Sequence, residues 1–250
     1  MSEGKSWEPL RRELDRWQAA GRAARFWLRD DDAVEPTPDL ETLLALTGRY
    51  DIPLTLAVIP ALTGEALAAR LAEEASVAVA VHGWSHTNHA GRERKKQELG
   101  SERSADIVLA ELRDGFRLLQ RLHPARFVPI LVPPWNRIDA ALIPALPDLG
   151  FAALSVYGRA KRNGPMPLLN THVDIIDWHG TRGGRSEEEL VAELVAELGD
   201  RFAGSDEPIG VLTHHLVHDA AAWDFLSALF EQTGRHPAVR WSPAPALLRA

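Results

Sequence analysis

Five residues of this chain have the chemistry of a metal site. Three are consecutive carboxylates, Asp30, Asp31 and Asp32, at the end of a short apolar run. His82 and His86 follow another apolar run, and their spacing lets two imidazoles converge on one ion. Two histidines and one carboxylate with an open position are the ligand set of a catalytic zinc site, and a neighbouring carboxylate can serve as general base. Because such an ion activates water and polarises a carbonyl, the pattern predicts hydrolysis of an amide or ester.

Aromatic and polar residues near other strand ends are candidates for holding a substrate. Two prolines fix an extended backbone before Trp135, so the indole could present a flat face on which a sugar stacks. The alternative is that Trp135 is an ordinary hydrophobic residue at the rim of the fold. His89 is expected in the wall of the cleft and not among the metal ligands. The predicted substrate-binding residues are Pro134, Trp135, Arg137 and Trp178.

His214 and His215 follow the last long apolar run of the chain. A histidine there could protonate a leaving group, since its pKa lies near neutrality. Side chains alternate along a strand, so only one of the two should face the site, and the sequence leaves open which. Asp174 and Asp177 lie near the end of another apolar run and could supply an acid that orients this histidine.

Apolar runs alternate with amphipathic stretches along the chain, which predicts βα units and a parallel sheet. The predicted strands span 26–28, 54–59, 77–81, 127–132, 152–156, 172–176 and 209–213. The predicted helices span 39–50, 64–74, 104–122, 186–198 and 220–232. Seven units favour a closed or nearly closed barrel, with an open doubly wound sheet as the alternative. Functional residues gather at the carboxyl ends of parallel strands, so the residues named above are expected to meet at one rim.

Composition limits the classes of protein to which the chain can belong. Its 250 residues are 45% hydrophobic and 25% charged, which predicts one folded domain over 1–250. A net charge of −7 argues against a nucleic-acid partner, and the lack of cysteine excludes disulfides, thiolate zinc ligands and a cysteine nucleophile. Residues 1–18 are charged and lack the apolar run of a signal peptide, and no stretch of 18 apolar residues occurs, so we expect a cytoplasmic protein without a membrane span. The sequence does not indicate an oligomeric state.

In these residues the chain resembles the polysaccharide deacetylase (NodB-homology) family. Five motifs occur in the family's order between residues 31 and 214. They are Asp31-Asp32, His82-Gly83-Trp84-Ser85-His86, Val132-Pro133-Pro134-Trp135, Asp174-Ile175-Ile176-Asp177-Trp178 and Leu212-Thr213-His214. The resemblance implies a distorted (β/α) barrel of about seven parallel strands. It also implies removal of an acyl group, usually acetyl from an N-acetylated sugar or small glycan, with a divalent ion, Zn²⁺ foremost.

The same resemblance implies a role for each matched residue. The metal ligands would be Asp32, His82 and His86. Asp31 would be the base that activates the attacking water, and His214 would be the general acid. Backbone N–H groups near Trp135, together with the metal, would stabilise the oxyanion.

The chain departs from the family pattern at three places. The aspartate triplet allows Asp30-Asp31 as the working pair in place of Asp31-Asp32. Gly83 stands where the family carries Ser or Thr. Val132 stands where the family often has an arginine that restrains the base, and Arg29 or Arg137 are the candidates to replace it.

These departures leave two alternatives to a sugar deacetylase. One keeps the site and changes the substrate to a non-sugar amide. The other, motivated by Val132, is a barrel that binds a saccharide and has lost the function of the base.

Overall fold

The computed structural model describes residues 6–160 and 164–249, and eight strands in these ranges form one parallel sheet. The strands are β1 (Ala24–Ala33), β2 (Leu54–Val58), β3 (Val77–His82), β4 (Phe127–Val132), β5 (Ala153–Leu154), β6 (Val173–Asp174), β7 (Ile209–Thr213) and β8 (Val239–Trp241). Their order is β5-β4-β3-β2-β1-β7-β6, and β8 pairs with the beginning of β1. All of these pairings are parallel.

The two outer strands, β5 and β6, are joined by the segment 168–172, so the sheet curls into a barrel. On one side of this segment, the backbone N–H of Leu169 donates to the carbonyl of Leu154 at 3.0 Å. On the other side, the N–H of His172 donates to the carbonyl of Gly210 in β7 at 2.7 Å. Because single bridges replace a regular ladder here, the barrel is distorted. The predicted distorted (β/α) barrel is therefore confirmed.

Seven α-helices in the described part of the chain surround and close the sheet. They are α1 (Glu8–Ala19), α2 (Pro38–Arg49), α3 (Glu65–Leu71), α4 (Ala105–Leu122), α5 (Glu187–Phe202), α6 (Ala220–Thr233) and α7 (Ala244–Leu247). Several begin at a side chain that caps them: Ser104 accepts from the N–H of Ile107, and Asp219 accepts from the N–H of Ala222. No helix in the described ranges has the length and apolar character needed to cross a membrane.

The seven predicted strands and five predicted helices are present with adjusted bounds. The strands 127–132 and 209–213 have the predicted ends, whereas 152–156 and 172–176 shrink to two residues each because the barrel closes there by isolated bridges. The first strand, expected to end at residue 28, continues to Ala33, so the three aspartates lie within β1 and not beyond it.

Among the α-helices and β-strands, three were not predicted: α1, β8 and α7. In α1, the apolar residues Leu10, Leu14 and Trp17 form one buried stripe, but charged residues on the other face conceal this pattern in the sequence. The helix packs against α5. Residues 1–5 of the charged beginning of the chain lie outside the described residues.

Two apolar layers lie on opposite faces of the sheet. The outer layer joins the sheet to α1–α6, and Phe26 and Leu28 of β1 belong to it. The inner layer is built largely of small side chains from the strands, with Trp27 of β1, and it packs on α7 and not on the other helices. Because side chains alternate along a strand, Trp27, Arg29 and Asp31 face the interior of the barrel. Asp30 faces the outer layer.

Candidate active site

The acids of β1 are separated by the geometry of the strand. Asp31 shares the inner face with Arg29, whereas Asp30 points the other way. The pairing of β1 with β2 shifts register between Asp30 and Ala33, and Asp32 has a φ of 72°. This bulge turns the carboxylate of Asp32 to the rim of the barrel.

Asp32, His82 and His86 form a cluster that could hold a metal ion. Asp32 Oδ1 lies 3.1 Å from His82 Nε2 and 3.3 Å from His86 Nε2. One ligand atom from each residue lies within 4.8 Å of the others. His82 Nδ1 lies 2.9 Å from the carbonyl oxygen of Val132. Since a carbonyl only accepts, Nδ1 carries a hydrogen, and Nε2, which faces Asp32, is the nitrogen that would bind a cation in place of a proton.

This donor set fits a divalent transition metal. Two imidazole nitrogens and one carboxylate oxygen are typical ligands of Zn²⁺ at a catalytic centre. Burial would raise the pKa of Asp32, but the hydrogen bond from His82 and the neighbouring imidazoles hold that pKa well below its usual range. Burial lowers the pKa of His86. An ionised Asp32 and a neutral His86 are the forms that bind a metal.

A tight loop, and not a helical turn, brings the two histidines together. His82 ends β3, and the chain reverses at Gly83, which has a φ of 58°. His86 also lies in the left-handed region, with a φ of 56°. The rings of His82 and His86 are 5.2 Å apart between centroids as a result.

Arg29 holds the carboxylate of Asp31 with two contacts. Its Nε lies 2.8 Å from Oδ1, and its Nη2 donates to Oδ2 at 3.0 Å. Both side chains are buried, with 0% of Arg29 and 2% of Asp31 exposed, so solvent does not screen the pair. The guanidinium also donates to Ser155 Oγ at 2.7 Å and to Asn136 Oδ1 at 3.0 Å.

The other candidate arginine does not reach this pair. Arg137 donates to the backbone carbonyl of Lys96 at 2.9 Å. Ser155 and Asn136 were not predicted as site residues. Neither belongs to a spacing pattern, and only the fold brings them to Arg29.

His214 and His215 face opposite sides of the sheet. His214 Nε2 lies 4.0 Å from Asp31 Oδ2, on the inner side. His215 pairs with Asp30 through its ring, and its backbone N–H donates to Asp30 Oδ2 at 2.8 Å. Asp30 and His215 are both fully buried, so this pair fastens the end of β7 to β1 in the outer layer. Of the two histidines, His214 is thus the one beside the candidate metal cluster.

Asp174 and Asp177, the two acids considered as partners of the histidine, have different surroundings. Asp174 accepts a hydrogen bond from Trp178 Nε1 at 2.9 Å, and the Trp178 ring meets His214 edge to face at 4.7 Å. Burial raises the pKa of Asp174, with His214 opposing this shift. Asp177 instead accepts from the backbone N–H groups of 179–181 and organises its own loop. Asp174, and not Asp177, lies near the histidine.

Two aromatic rings contact histidines of the candidate site. Trp135 has a φ of 55° and its ring lies 4.4 Å from that of His86. Trp178 is 38% exposed beside His214. Pro134 packs against Gly83 beneath the histidine loop. His89 is half-buried further along this loop and is not part of the metal cluster.

Known proteins are similar to this chain in structure and not in sequence. The chain matches no protein-family model and no curated protein. Among solved structures, it is similar to a protein from Mycobacterium smegmatis assigned as a polysaccharide deacetylase, with a TM-score of 0.69, 15% identity and coverage of 92% of this chain and 90% of that one. A peptidoglycan N-acetylglucosamine deacetylase gives a TM-score of 0.60 at 16% identity, covering 91% and 89% of the two chains.

A family 4 acetyl xylan esterase from Clostridium thermocellum, solved with a cobalt ion, gives a TM-score of 0.54 at 15% identity, covering 90% of each chain. At such identities the likeness concerns the fold. The protein thus has the fold of polysaccharide deacetylases over nine-tenths of its length.

Proposed function

We propose that the protein is a divergent member of the polysaccharide deacetylase family. In this proposal it is a metal-dependent hydrolase that removes an acetyl group from an N-acetylated sugar or small glycan. The main support is one juxtaposition of side chains. The Asp32–His82–His86 cluster lies beside an Asp31 carboxylate held by Arg29, and His214 Nε2 lies 4.0 Å from that carboxylate. The likeness to deacetylases in fold supports the same reaction class.

Asp32, His82 and His86 would hold the metal ion. A divalent cation bound there would polarise the scissile carbonyl and lower the pKa of the attacking water. Zn²⁺ is the first candidate, since its usual ligands are imidazole and carboxylate.

Asp31 would be the general base. The ion pair and the hydrogen bond from Arg29 hold the carboxylate in one orientation, so that it can accept a proton from the attacking water without first rearranging. Arg29 therefore takes the place of the arginine that is missing at Val132. This arrangement argues against a barrel that has lost the function of its base.

His214 would be the general acid that protonates the leaving nitrogen. Its Nε2 faces the same space as Asp31, and the Trp178 ring limits the motion of the imidazole. Asp174 accepts the indole N–H of Trp178 at 2.9 Å and so holds the ring that contacts His214. The backbone N–H of Trp135 is the proposed donor to the oxyanion.

A saccharide is the proposed substrate because two indole rings contact histidines of the candidate site. Trp135 stands beside the metal ligand His86, and Trp178 stands beside His214. Flat aromatic faces with a polar edge suit rings that carry both C–H and hydroxyl groups.

Acetate release tests the proposal directly. The purified protein would be stripped with a chelator, reloaded with Zn²⁺ and incubated with N-acetylglucosamine oligomers or with simple amides. We expect metal-dependent acetate release from the oligomers. Acetate release from the simple amides alone would indicate that the substrate is a non-sugar amide.

Asp31→Asn tests the role of the base. We expect the variant to retain Zn²⁺ and to lose activity by about two to four orders of magnitude, the usual contribution of a general base. Asp148→Asn, an exposed acid away from the cluster, is the matched control and should keep full activity. A metal-loaded wild-type protein that hydrolyses no acyl substrate would refute the proposed hydrolase.

A further inference from the structure

Glu98 is a buried carboxylate in the long connection between β3 and α4. Its exposed fraction is 0%, although its residue type is among those that normally stay in solvent. In the described part of the chain it forms no ion pair with an arginine, lysine or histidine. A buried charge of this kind is unfavourable unless hydrogen bonds compensate the loss of water.

The compensating hydrogen bonds all come from the loop between the two candidate metal-binding histidines. Oε1 of Glu98 accepts from the backbone N–H of Ser85 at 2.7 Å and from the Ser85 hydroxyl at 3.0 Å. Oε2 accepts from the backbone N–H of Trp84 at 3.2 Å. The carboxylate therefore binds the residues that connect His82 to His86.

The shape of this loop is matched to Glu98. A Cβ atom placed on Gly83 would overlap Glu98 Oε2 and lie 2.6 Å from Pro134 Cδ. The space that a side chain would take at this position is thus filled by the carboxylate. The family that the chain resembles carries Ser or Thr at this position. The carboxylate of Glu98 fills the space that such a side chain would need, which explains why this chain has Gly83 instead.

The loop needs such support because its backbone is unfavourable. His86 has a φ of 56°, in a region that residues with a Cβ rarely occupy. Two N–H groups anchored on one rigid carboxylate hold the chain in this conformation and so direct His86 Nε2 to Asp32 Oδ1.

We infer that Glu98 is a positioning residue of the metal site, which fixes the loop between His82 and His86 and so preorganises the two imidazoles for one divalent cation. This inference rests on the proposed function, because it assumes that the cluster binds a metal. Glu98 acts through the loop and does not touch the cation.

The test compares the Zn²⁺ affinities of three variants with that of the wild type. Glu98→Ala removes both acceptors, whereas Glu98→Gln keeps one oxygen and the side-chain volume. Glu102→Gln is the matched control, since Glu102 is an exposed partner of Arg94 in the same connection. Dissociation constants would be measured by competition with a chromophoric chelator, and circular dichroism would verify the fold.

We expect Glu98→Ala to bind Zn²⁺ about 10- to 100-fold more weakly, the usual effect of losing a residue that orients metal ligands. Glu98→Gln should recover part of the affinity, and Glu102→Gln should equal the wild type. Cobalt serves as a second probe. The visible bands of the Co²⁺-loaded Glu98→Ala protein should shift in position or intensity, because the geometry of the imidazoles changes.

Affinity and cobalt bands that are unchanged in a folded Glu98→Ala protein would overturn the inference and leave the proposed function intact. If Glu98→Ala does not fold, Glu98→Gln decides: an affinity equal to that of the wild type overturns the inference. A wild-type protein that binds neither Zn²⁺ nor Co²⁺ would instead refute the proposed function, and the inference with it.

Discussion

Replacing Gly83 by alanine should destabilise the protein for two separate reasons. The first is conformational, because the φ of 58° is accessible to glycine and unfavourable for alanine. The second is steric, because the new methyl group would overlap the buried carboxylate of Glu98 and lie 2.6 Å from Pro134 Cδ. Neither neighbour can move freely, since Glu98 is held by the loop and Pro134 is a rigid ring.

The size of each effect can be worked out from these contacts. The left-handed conformation costs alanine about 1–2 kcal/mol relative to glycine. Forcing an extra methyl group into a packed site costs about 1–3 kcal/mol more. The expected loss for Gly83→Ala is therefore about 2–5 kcal/mol, which for a chain of this length lowers Tm by about 4–20 °C.

Thermal and urea unfolding would measure this loss, and Gly21→Ala separates its two parts. Gly21 has a φ of 64° and nothing within 4 Å of its added Cβ, so its variant experiences the conformational effect alone, about 1–2 kcal/mol. Zn²⁺ affinity should fall in Gly83→Ala and stay unchanged in Gly21→Ala. The reasoning is wrong if the two variants are equally stable.

Three further predictions concern histidines. His86→Ala should lose Zn²⁺ during gel filtration while His89→Ala retains it; equal retention would rule out His86 as a ligand. His214→Ala should retain the metal and lower turnover by about two to four orders of magnitude. His215→Ala leaves the buried carboxylate of Asp30 without its partner, so it should lower the free energy of unfolding by about 3–5 kcal/mol. If His215 were the general acid and His214 the structural residue, these two results would be exchanged. Burial lowers the pKa of His123 to about 4, so the folded state binds fewer protons than the unfolded state and stability falls as the pH drops from about 6.5 toward 4. His123→Leu should remove about 2 kcal/mol of the stability difference between pH 7 and pH 5, measured by urea unfolding; an unchanged difference would contradict this.

The alternation of apolar runs and amphipathic stretches predicted the parallel sheet and favoured a barrel over an open doubly wound sheet. Strands such as 127–132 and 209–213 are covered on both faces. Such strands appear in the sequence as continuous apolar runs, which indicate them directly. The closure at 168–172 was not predictable, because single backbone bridges leave no periodic pattern. Helix α1 was missed because its stripe of Leu10, Leu14 and Trp17 is diluted by charges on the exposed face.

The candidate site was predicted in part. The spacing of His82 and His86 indicated convergence on one ion, and the alternation of side chains indicated that one of His214 and His215 faces inward. The sequence could not decide which, because that depends on the register of β7 against β1. Glu98 lies twelve residues beyond His86 in a polar connection, and only its burial beneath the loop reveals its contacts.

Arg29 and Asp31 belong to the same strand, two residues apart. Their mutual geometry is thus inherited from the pleat of β1 and owes nothing to the conformation of any loop. The segment that follows β4 adds one bond to the guanidinium through Asn136, but it is not the source of the positive charge. That segment can therefore be changed by design. Replacing Trp135 or lengthening the turn could alter which molecules the site binds while Arg29 still holds the carboxylate of Asp31.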